Sequence, residues 1–284
     1  MANIRLIKGR IKSAKNIAQI TKAMELVAAS KMKKAQAQAI TGKLYAQKIF
    51  DMVMSLVSRT TITKHPLIKK PEKINNKRLV VLLSSDKGLC GGLNTNLFRF
   101  FHEQYPQIAS IDVLTLGKKG ASYIARIGGN LKADFSGATS HIGVVPAIIQ
   151  MVTSEYTTGH YDAVDLVYND FVNIVKQVPT KKTILPLTIQ SLDVPDTSLE
   201  FLIEPDADSV FELLLPHYLE NQVRDAVLEA LASEHSARMV AMRNATDNAL
   251  SLMDDLTLEY NKARQEKITY EITDLITATL AMSS

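Results

Sequence analysis

The stretch from Arg10 to Lys48, RIKSAKNIAQITKAMELVAASKMKKAQAQAITGKLYAQK, contains no proline and a single glycine, Gly42. Through and around it, Ile4, Ile7, Ile11, Ala14, Ala18, Thr21, Met24, Ala28, Met32, Ala35 and Ala39 recur at steps of three or four. These ten steps cover 35 residues, a mean of 3.5, which is the period of a coiled coil rather than of a globular helix face. Continued through Phe50, Met54 and Val57, the helix is about 58 residues long, or roughly 87 Å. That is far longer than a domain is wide.

The same texture returns at Asp208 and runs to the end of the chain. Val223, Val227, Ala230, Ala237, Ala241, Ala245, Ala249, Leu252, Leu256, Tyr260 and Ala263 keep the spacing, with Glu234 in the one gap. No glycine follows Gly159, and the last proline is Pro216, which predicts a kink or a late helix start. A helix from His217 to about Leu280 measures roughly 96 Å. A single apolar stripe that long cannot bury itself against a small domain. The two terminal helices are therefore expected to pack together as an antiparallel pair.

Between them the texture changes. His65-Pro66 and Lys70-Pro71 end the first helix, and Leu79-Val80-Val81-Leu82-Leu83 is a short continuous apolar run, as in a buried parallel strand. Similar runs fall at Ile111–Leu116, around Leu131–Phe135 and at Ala163–Tyr168, with Thr183–Ile189 as a further strand at an edge. Helical stretches at Leu93–Tyr105, Lys118–Ile127 and Val144–Tyr156 separate them. This alternation predicts a doubly wound α/β domain. The fold expected is α/β plus a long antiparallel α-helical coiled coil, with a Rossmann-like domain inserted between the two terminal helices. Its parts are residues 1–58, 78–190 and 208–284.

Composition narrows the class. Hydrophobic residues make up 46% and charged residues 22% of the 284, so the chain should fold. No apolar run reaches the ~18 residues of a membrane helix, and Arg5, Lys8, Arg10 and Lys12 leave no apolar stretch for a secretory signal. The lone Cys90 excludes an internal disulfide framework and a multi-cysteine metal site. Twelve glycines and nine prolines are too few for a turn-rich β-sandwich or barrel. The net charge of +4 hides an asymmetry: residues 1–48 carry eleven Lys or Arg against Glu25 alone, a net of +10, which leaves −6 for the rest. A segment so basic calls for an acidic partner: nucleic acid, anionic lipid or an acidic protein surface.

Catalytic motifs are sparse. Ser84-Ser85-Asp86-Lys87-Gly88-Leu89-Cys90-Gly91-Gly92-Leu93-Asn94 is a Gly-rich turn between a strand and a helix, the place where doubly wound folds bind phosphate. No Lys-Ser or Lys-Thr follows its glycines, and Gly88, Gly91 and Gly92 miss the dinucleotide spacing. Asp112 stands at the start of its strand instead of the end. Cys90 has no histidine nearby in sequence. His102, His141, His160, His217 and His235 are scattered singly, and the adjacent Asp254-Asp255 point to different helix faces. This inventory contains no enzyme, no cofactor site and no metal site. The function is expected to be mechanical or adhesive.

Two segments carry a resemblance. Ile20-Thr21-Lys22-Ala23-Met24-Glu25-Leu26-Val27-Ala28-Ala29-Ser30-Lys31-Met32, followed by Lys33 and Lys34, resembles the N-terminal helix of the gamma subunits of F-type ATP synthases. Tyr260-Asn261-Lys262-Ala263-Arg264-Gln265, with Ile268-Thr269-Tyr270-Glu271-Ile272-Thr273-Asp274-Leu275, is similar to that family's C-terminal signature. The Gly-rich turn, Glu204-Pro205-Asp206 and Ala237-Arg238-Met239-Val240-Ala241-Met242 also match, in order along the whole chain. Two departures are local: Thr277-Ala278 replaces a usual Gly-Ala pair, and Pro216 falls where the family helix runs on.

The resemblance implies a central rotor stalk. In that family an antiparallel coiled coil stands inside a ring of three alpha and three beta subunits. A Rossmann-like domain lies near its base, on a membrane c ring. Ion flow turns the ring and the stalk, and the asymmetric shaft drives the catalytic sites through their states. The beta subunits present an acidic loop, for which Lys31, Lys33, Lys34 and Lys87 match the contact region. Arg264, Gln265 and Thr269 match positions gripped by catalytic-subunit loops, and Glu204 matches the footing on the c ring. Met24 and Arg238, within the matching stretches, join them as subunit contacts. The implied partners are the alpha and beta subunits, the epsilon subunit and the c ring, with no cofactor and no catalytic group here. The absence of a transit peptide points to a bacterial chain, peripheral on the cytoplasmic face of the plasma membrane. Two other classes stay open on the residues alone: a basic coiled coil that binds nucleic acid, which has almost no aromatics to stack bases, and a flavodoxin-like enzyme with helical arms.

Overall fold

The computed structural model of the chain describes residues 4–57, 67–68, 77–138, 140–187, 204 and 206–283. Helix α1 (Ile4–Val57) comes first and α5 (Ala207–Ser283) last. Between them in sequence come β1 (Arg78–Leu83), α2 (Leu93–Gln104), β2 (Ile111–Leu116), α3 (Lys118–Arg126), β3 (Asn130–Asp134), α4 (Val145–Thr157), β4 (Ala163–Phe171) and β5 (Gln177–Leu185). The chain divides into two units. One joins the residues up to Ala28 with those from Met239 onward, and the other is Ala29–Arg238.

In the second unit the sheet order is β3-β2-β1-β4-β5, parallel except for β5, which runs antiparallel to β4. Every residue of β1 after Arg78 is buried, because alternate side chains enter two cores. Leu79, Val81 and Leu83 join Ile148 and Val152 of α4 and Leu215, Leu219 and Val223 of α5. Val80 and Leu82 join Leu97 and Phe101 of α2 and Ile124 of α3. A strand covered on both faces has no polar side to show. Residues 211–227 of α5 thus wall one face of the sheet.

Several expectations are corrected here. Helix α5 starts at Ala207 and passes through Pro216, so the late start at His217 does not occur. The last strand is Gln177–Leu185 rather than Thr183–Ile189, and residues 188–189 lie outside the described residues. Pro179 and the pair Lys181-Lys182 hid its first half, which suits an edge strand. Its turn is closed by Asn173, whose side-chain oxygen accepts from the backbone N–H of Val175 at 2.9 Å and of Lys176 at 2.8 Å. Among the described side chains of α1 beyond Ala39, Ile49 and Val53 are buried and Phe50 is not; the side chains of Met54 and Val57 lie outside the described residues. A strict heptad from Ile7 through Ala14, Ala28 and Ala35 leads to Ile49, and the bulk of Phe50 drew the register off by one. Phe50 is half-buried against Tyr218, ring centroids 6.2 Å apart.

In the first unit the two helix segments run antiparallel. Thr21 and Thr246 hydroxyls lie 2.7 Å apart, and Glu25 lies 3.2 Å from Arg243. Rising numbers on one helix meet falling numbers on the other. The buried residues of α5 here include Met242, Ala249, Leu256 and Ala263, each seven from the next, as a coiled-coil seam requires. Leu252 is exposed, and the half-buried Met253 takes its place in the heptad. Glu25, not Met24, fills the seam position between Ala18 and Met32. It is 4% exposed and is held by Lys22 at 2.9 Å as well as by Arg243. The Lys22 hydrogen bond leads in holding its carboxyl below the ordinary range, against burial and with help from Arg243.

Candidate functional site

β1 runs into Ser84-Ser85, and the chain then turns through residues 86–92 into α2. Hydroxyls close this turn from within. Ser84 Oγ accepts from the N–H of Gly120 at 2.7 Å and donates to the carbonyl of Gly117 at 3.1 Å. Ser85 Oγ donates to the Lys87 carbonyl at 2.9 Å and accepts from the Asn94 amide at 2.7 Å. At Gly117 (φ 109°) a Cβ would stand 2.0 Å from the Ser84 carbonyl oxygen, so only glycine fits.

Strand order reverses between β1 and β4, and the crevice beyond their C-terminal ends is where open α/β sheets take ligands. Here α5 fills it. Val227, Ala230, Leu231 and Glu234 meet Ser84, Ser85, His141 and Asn169 around a space of about 20 Å³, room for one water. Ligand pockets hold ~300–1,000 Å³. The Gly-rich turn at this crevice is a strand-to-helix connection with no space for a dinucleotide.

The same stretch of α5 supplies a buried ion pair. Arg238 Nη1 lies 2.8 Å from Glu234, and the two side chains are 11% and 10% exposed. The guanidinium also donates to the carbonyl of Lys87 at 2.9 Å and to that of Gly88 at 3.2 and 3.3 Å. Burial pushes the Glu234 carboxyl up, with Arg238 opposing. Burial, then Arg238 and Lys31, pushes the neighbouring His235 down to about 4, so that ring is neutral at pH 7. On the far side of the turn, His141 lies 3.0 Å from Asp86, whose other oxygen accepts from the backbone N–H of Lys118 at 3.0 Å.

The residues singled out from sequence are distributed as follows. In the second unit, Lys31, Lys33, Lys34, Lys87 and Glu204 are exposed, while Arg238 is turned inward. Lys31, His235 and Arg238 are electrostatic neighbours, and Arg238 bonds the turn that carries Lys87. In the first unit Met24 is half-buried, and Arg264, Gln265 and Thr269 are exposed on α5. Thr269 Oγ1 donates to the Gln265 carbonyl at 3.0 Å. From Arg264 on, every described side chain of α5 is exposed, including Ile268, Tyr270, Ile272, Leu275 and Ile276. The sequence shows Glu234 as a gap in a seam and Glu25 as a lone acid, but not that both are buried ion-pair partners. The signal for both was a carboxylate standing in an apolar seam with a basic residue three or four positions away. Among the described residues no cluster of His, Cys, Asp or Glu is placed to hold a metal, and no helix is long and apolar enough to cross a membrane.

An α/β domain with its crevice filled by its own helix, joined in sequence to long helices with exposed apolar and basic residues, fits a stalk protein. A family model described as ATP synthase matches residues 3–282. The ATP synthase gamma chain of Opitutus terrae is 42% identical over 300 aligned positions, covering all of both chains. That of Dehalococcoides mccartyi (strain 195) is 41% identical over 292, again with full coverage. A chain of the Tetrahymena thermophila mitochondrial ATP synthase central stalk and c-ring is similar in structure, with a TM-score of 0.61 and 27% identity, covering 80% of this chain and 99% of that one. The Euglena gracilis mitochondrial ATP synthase rotor shares the fold, with a TM-score of 0.64 at 18% identity, covering 93% and 98%. The chain belongs to the ATP synthase gamma-chain family. It is a central-stalk subunit, not a catalytic one, and neither the nucleic-acid reading nor the flavodoxin-like reading is supported.

Proposed function

We propose that this chain turns as the central stalk between a membrane c ring and a ring of alpha and beta subunits, coupling ion flow to ATP synthesis. Residues 1–58 and 208–284 supply its antiparallel coiled coil, with residues 211–227 also walling the α/β domain of residues 78–190 that lies between them in sequence. The shaft stands inside the alpha/beta ring, and the base meets the c ring and the epsilon subunit. It sits peripherally on the cytoplasmic face of a bacterial plasma membrane. Lys31, Lys33, Lys34 and Lys87 meet an acidic loop of the beta subunits, and Met24 and Arg238 are further subunit contacts. Arg264, Gln265 and Thr269 are gripped by loops of the catalytic subunits, and Glu204 stands on the c ring.

The observation that carries this reading is the end of α5. A helix with Ile268, Ile272, Leu275 and Ile276 all exposed is an interaction surface. The exposed lysines suit a contact that must break and re-form at every step, because exposed ion pairs contribute only ~0–1 kcal/mol each. The test is co-purification. A tagged chain solubilised from its own membranes should bring down alpha, beta and epsilon subunits together with the c ring. Recovery of the chain alone, or with nucleic acid, would refute the reading.

A further inference from the structure

The turn between β1 and α2 is held in a conformation it would not keep by itself. Leu89 lies at φ 61°, a left-handed region that non-glycine residues rarely adopt and that persists only where the surroundings impose it. Packing of Leu89 does not impose it, since this residue is 61% exposed. The carbonyls on its N-terminal side are where the constraint enters. The Lys87 carbonyl takes Ser85 Oγ at 2.9 Å and Arg238 Nη2 at 2.9 Å, while the Gly88 carbonyl takes Arg238 Nε and Nη2. Glu234 fixes the other end of the guanidinium at 2.8 Å, and His235 Nδ1 stands 3.4 Å from the same Nη1.

We propose that Arg238, oriented by Glu234, is a positioning residue: it pins the 86–91 turn so that Lys87 and Leu89 meet an acidic partner loop as one rigid element. The inference rests on the reading of Lys87 as a partner contact, and it changes the part that Arg238 plays. With its side chain 11% exposed and its donors committed to Glu234, Lys87 and Gly88, Arg238 acts through the turn instead of touching the partner. A planar fork can bridge two successive carbonyls while holding a carboxylate, and an ammonium cannot. Lys87 itself presents an exposed cation from the pinned backbone, so its entropy of ordering on contact is reduced.

The experiment uses the assembled complex in membrane vesicles at low salt, reading protons pumped per ATP hydrolysed. It is paired with amide exchange over residues 85–93 and 117–120. In those segments the Leu93 N–H is bonded to the Cys90 carbonyl, and the Lys118 N–H to Asp86. Arg238→Gln and Glu234→Gln should each lower the coupling ratio about threefold, the scale of one exposed ion pair. They should also speed exchange in these segments by about tenfold or more. Arg238→Lys should not rescue either readout, and in a Lys87→Glu background Arg238→Gln should cause no further loss. Full rescue by Arg238→Lys, additive losses, or lost coupling with unchanged exchange would each overturn the positioning role. A Lys87→Glu complex that stays fully coupled would instead refute the contact reading beneath it, and the two failures are thereby told apart.

Discussion

Asp165 offers the sharpest test of how the platform beneath that turn is held. It stands on β4 opposite Val80 of β1 and is 0% exposed. Its carboxylate accepts from the Tyr105 hydroxyl at 2.7 Å and from Thr183 Oγ1 at 2.6 Å, with Arg78 at 3.3 Å and Lys181 at 3.6 Å. Burial first, then Asp165, holds the Tyr105 hydroxyl well above its ordinary range, so it donates at any working pH. Asp165→Ala strands both hydroxyl donors, each at a cost of about 1–3 kcal/mol. The cations add less, because Arg78 is 41% and Lys181 23% exposed and both reach water. The two stranded hydroxyls together cost about 2–6 kcal/mol. For a unit of this size that lowers Tm by roughly 10 °C. Asp165→Asn keeps one acceptor and should lose about half as much. Urea unfolding of the isolated chain, followed by circular dichroism, measures both. An Asp165→Ala midpoint equivalent to a loss under ~1 kcal/mol would show that the network is a bystander.

Three further predictions follow from the charged and glycine-rich sites. Changing any one of Lys31, Lys33, Lys34 or Lys87 to Ala should lower coupling by about threefold at most, the scale of one exposed ion pair, while reversing three together to Glu should uncouple pumping from hydrolysis at low salt. High salt should shrink the difference, given a screening length of about 8 Å at physiological ionic strength, and full coupling in the triple variant would reduce these lysines to a solvated face. His235 is pushed from its ordinary 6.5 to about 4, so between those values the unfolded chain binds a proton that the folded chain refuses. Stability should therefore fall as pH drops through that window, and a His235→Gln chain with an equally steep acid limb would contradict this. Calorimetry should detect neither ATP nor NAD binding to the purified chain; micromolar affinity would mean that α5 vacates the crevice.

Strict periodicity made much of this fold legible. The run Leu79–Leu83 could only be a strand covered on both faces, and the parallel core of the sheet followed from it. The heptad through Ala14, Ala28 and Ala35 is equally readable, but hydrophobicity alone points one residue off it at three places. Met24 is more apolar than Glu25, Phe50 bulkier than Ile49, and Leu252 more apolar than Met253, yet Glu25, Ile49 and Met253 hold the seam. In each case the backbone geometry, which keeps a position every seven residues, outranked side-chain hydrophobicity. Glu25 in particular is admitted to the seam because Lys22 and Arg243 solvate it. The first half of β5 was invisible because an edge strand with Pro179, Lys181 and Lys182 has no apolar alternation. The clamp by Arg238 joins residues about 150 positions apart, and no local pattern encodes such a pairing.

The small residues in the first unit explain why its helices present so much apolar surface. Ala14, Ala18 and Ala28 on α1 and Ala249 and Ala263 on α5 are buried, and alanine at a seam buries little area per residue. At about 25 cal/mol per Å², such a seam contributes modestly to holding two helices together. Leu6, Ile17, Ile20, Leu26 and Val27 on α1, with Leu258, Ile268 and Leu275 on α5, stay exposed. A stable isolated coiled coil would place its large residues inward. This one places many of them outward, as a shaft should if the walls around it supply part of its burial. The isolated chain should accordingly self-associate at high concentration. Truncation after Ala263 should relieve that association while leaving the urea unfolding of the second unit unchanged. Sedimentation showing a monomer at high concentration for the full chain would mean that the outward residues find partners within the molecule.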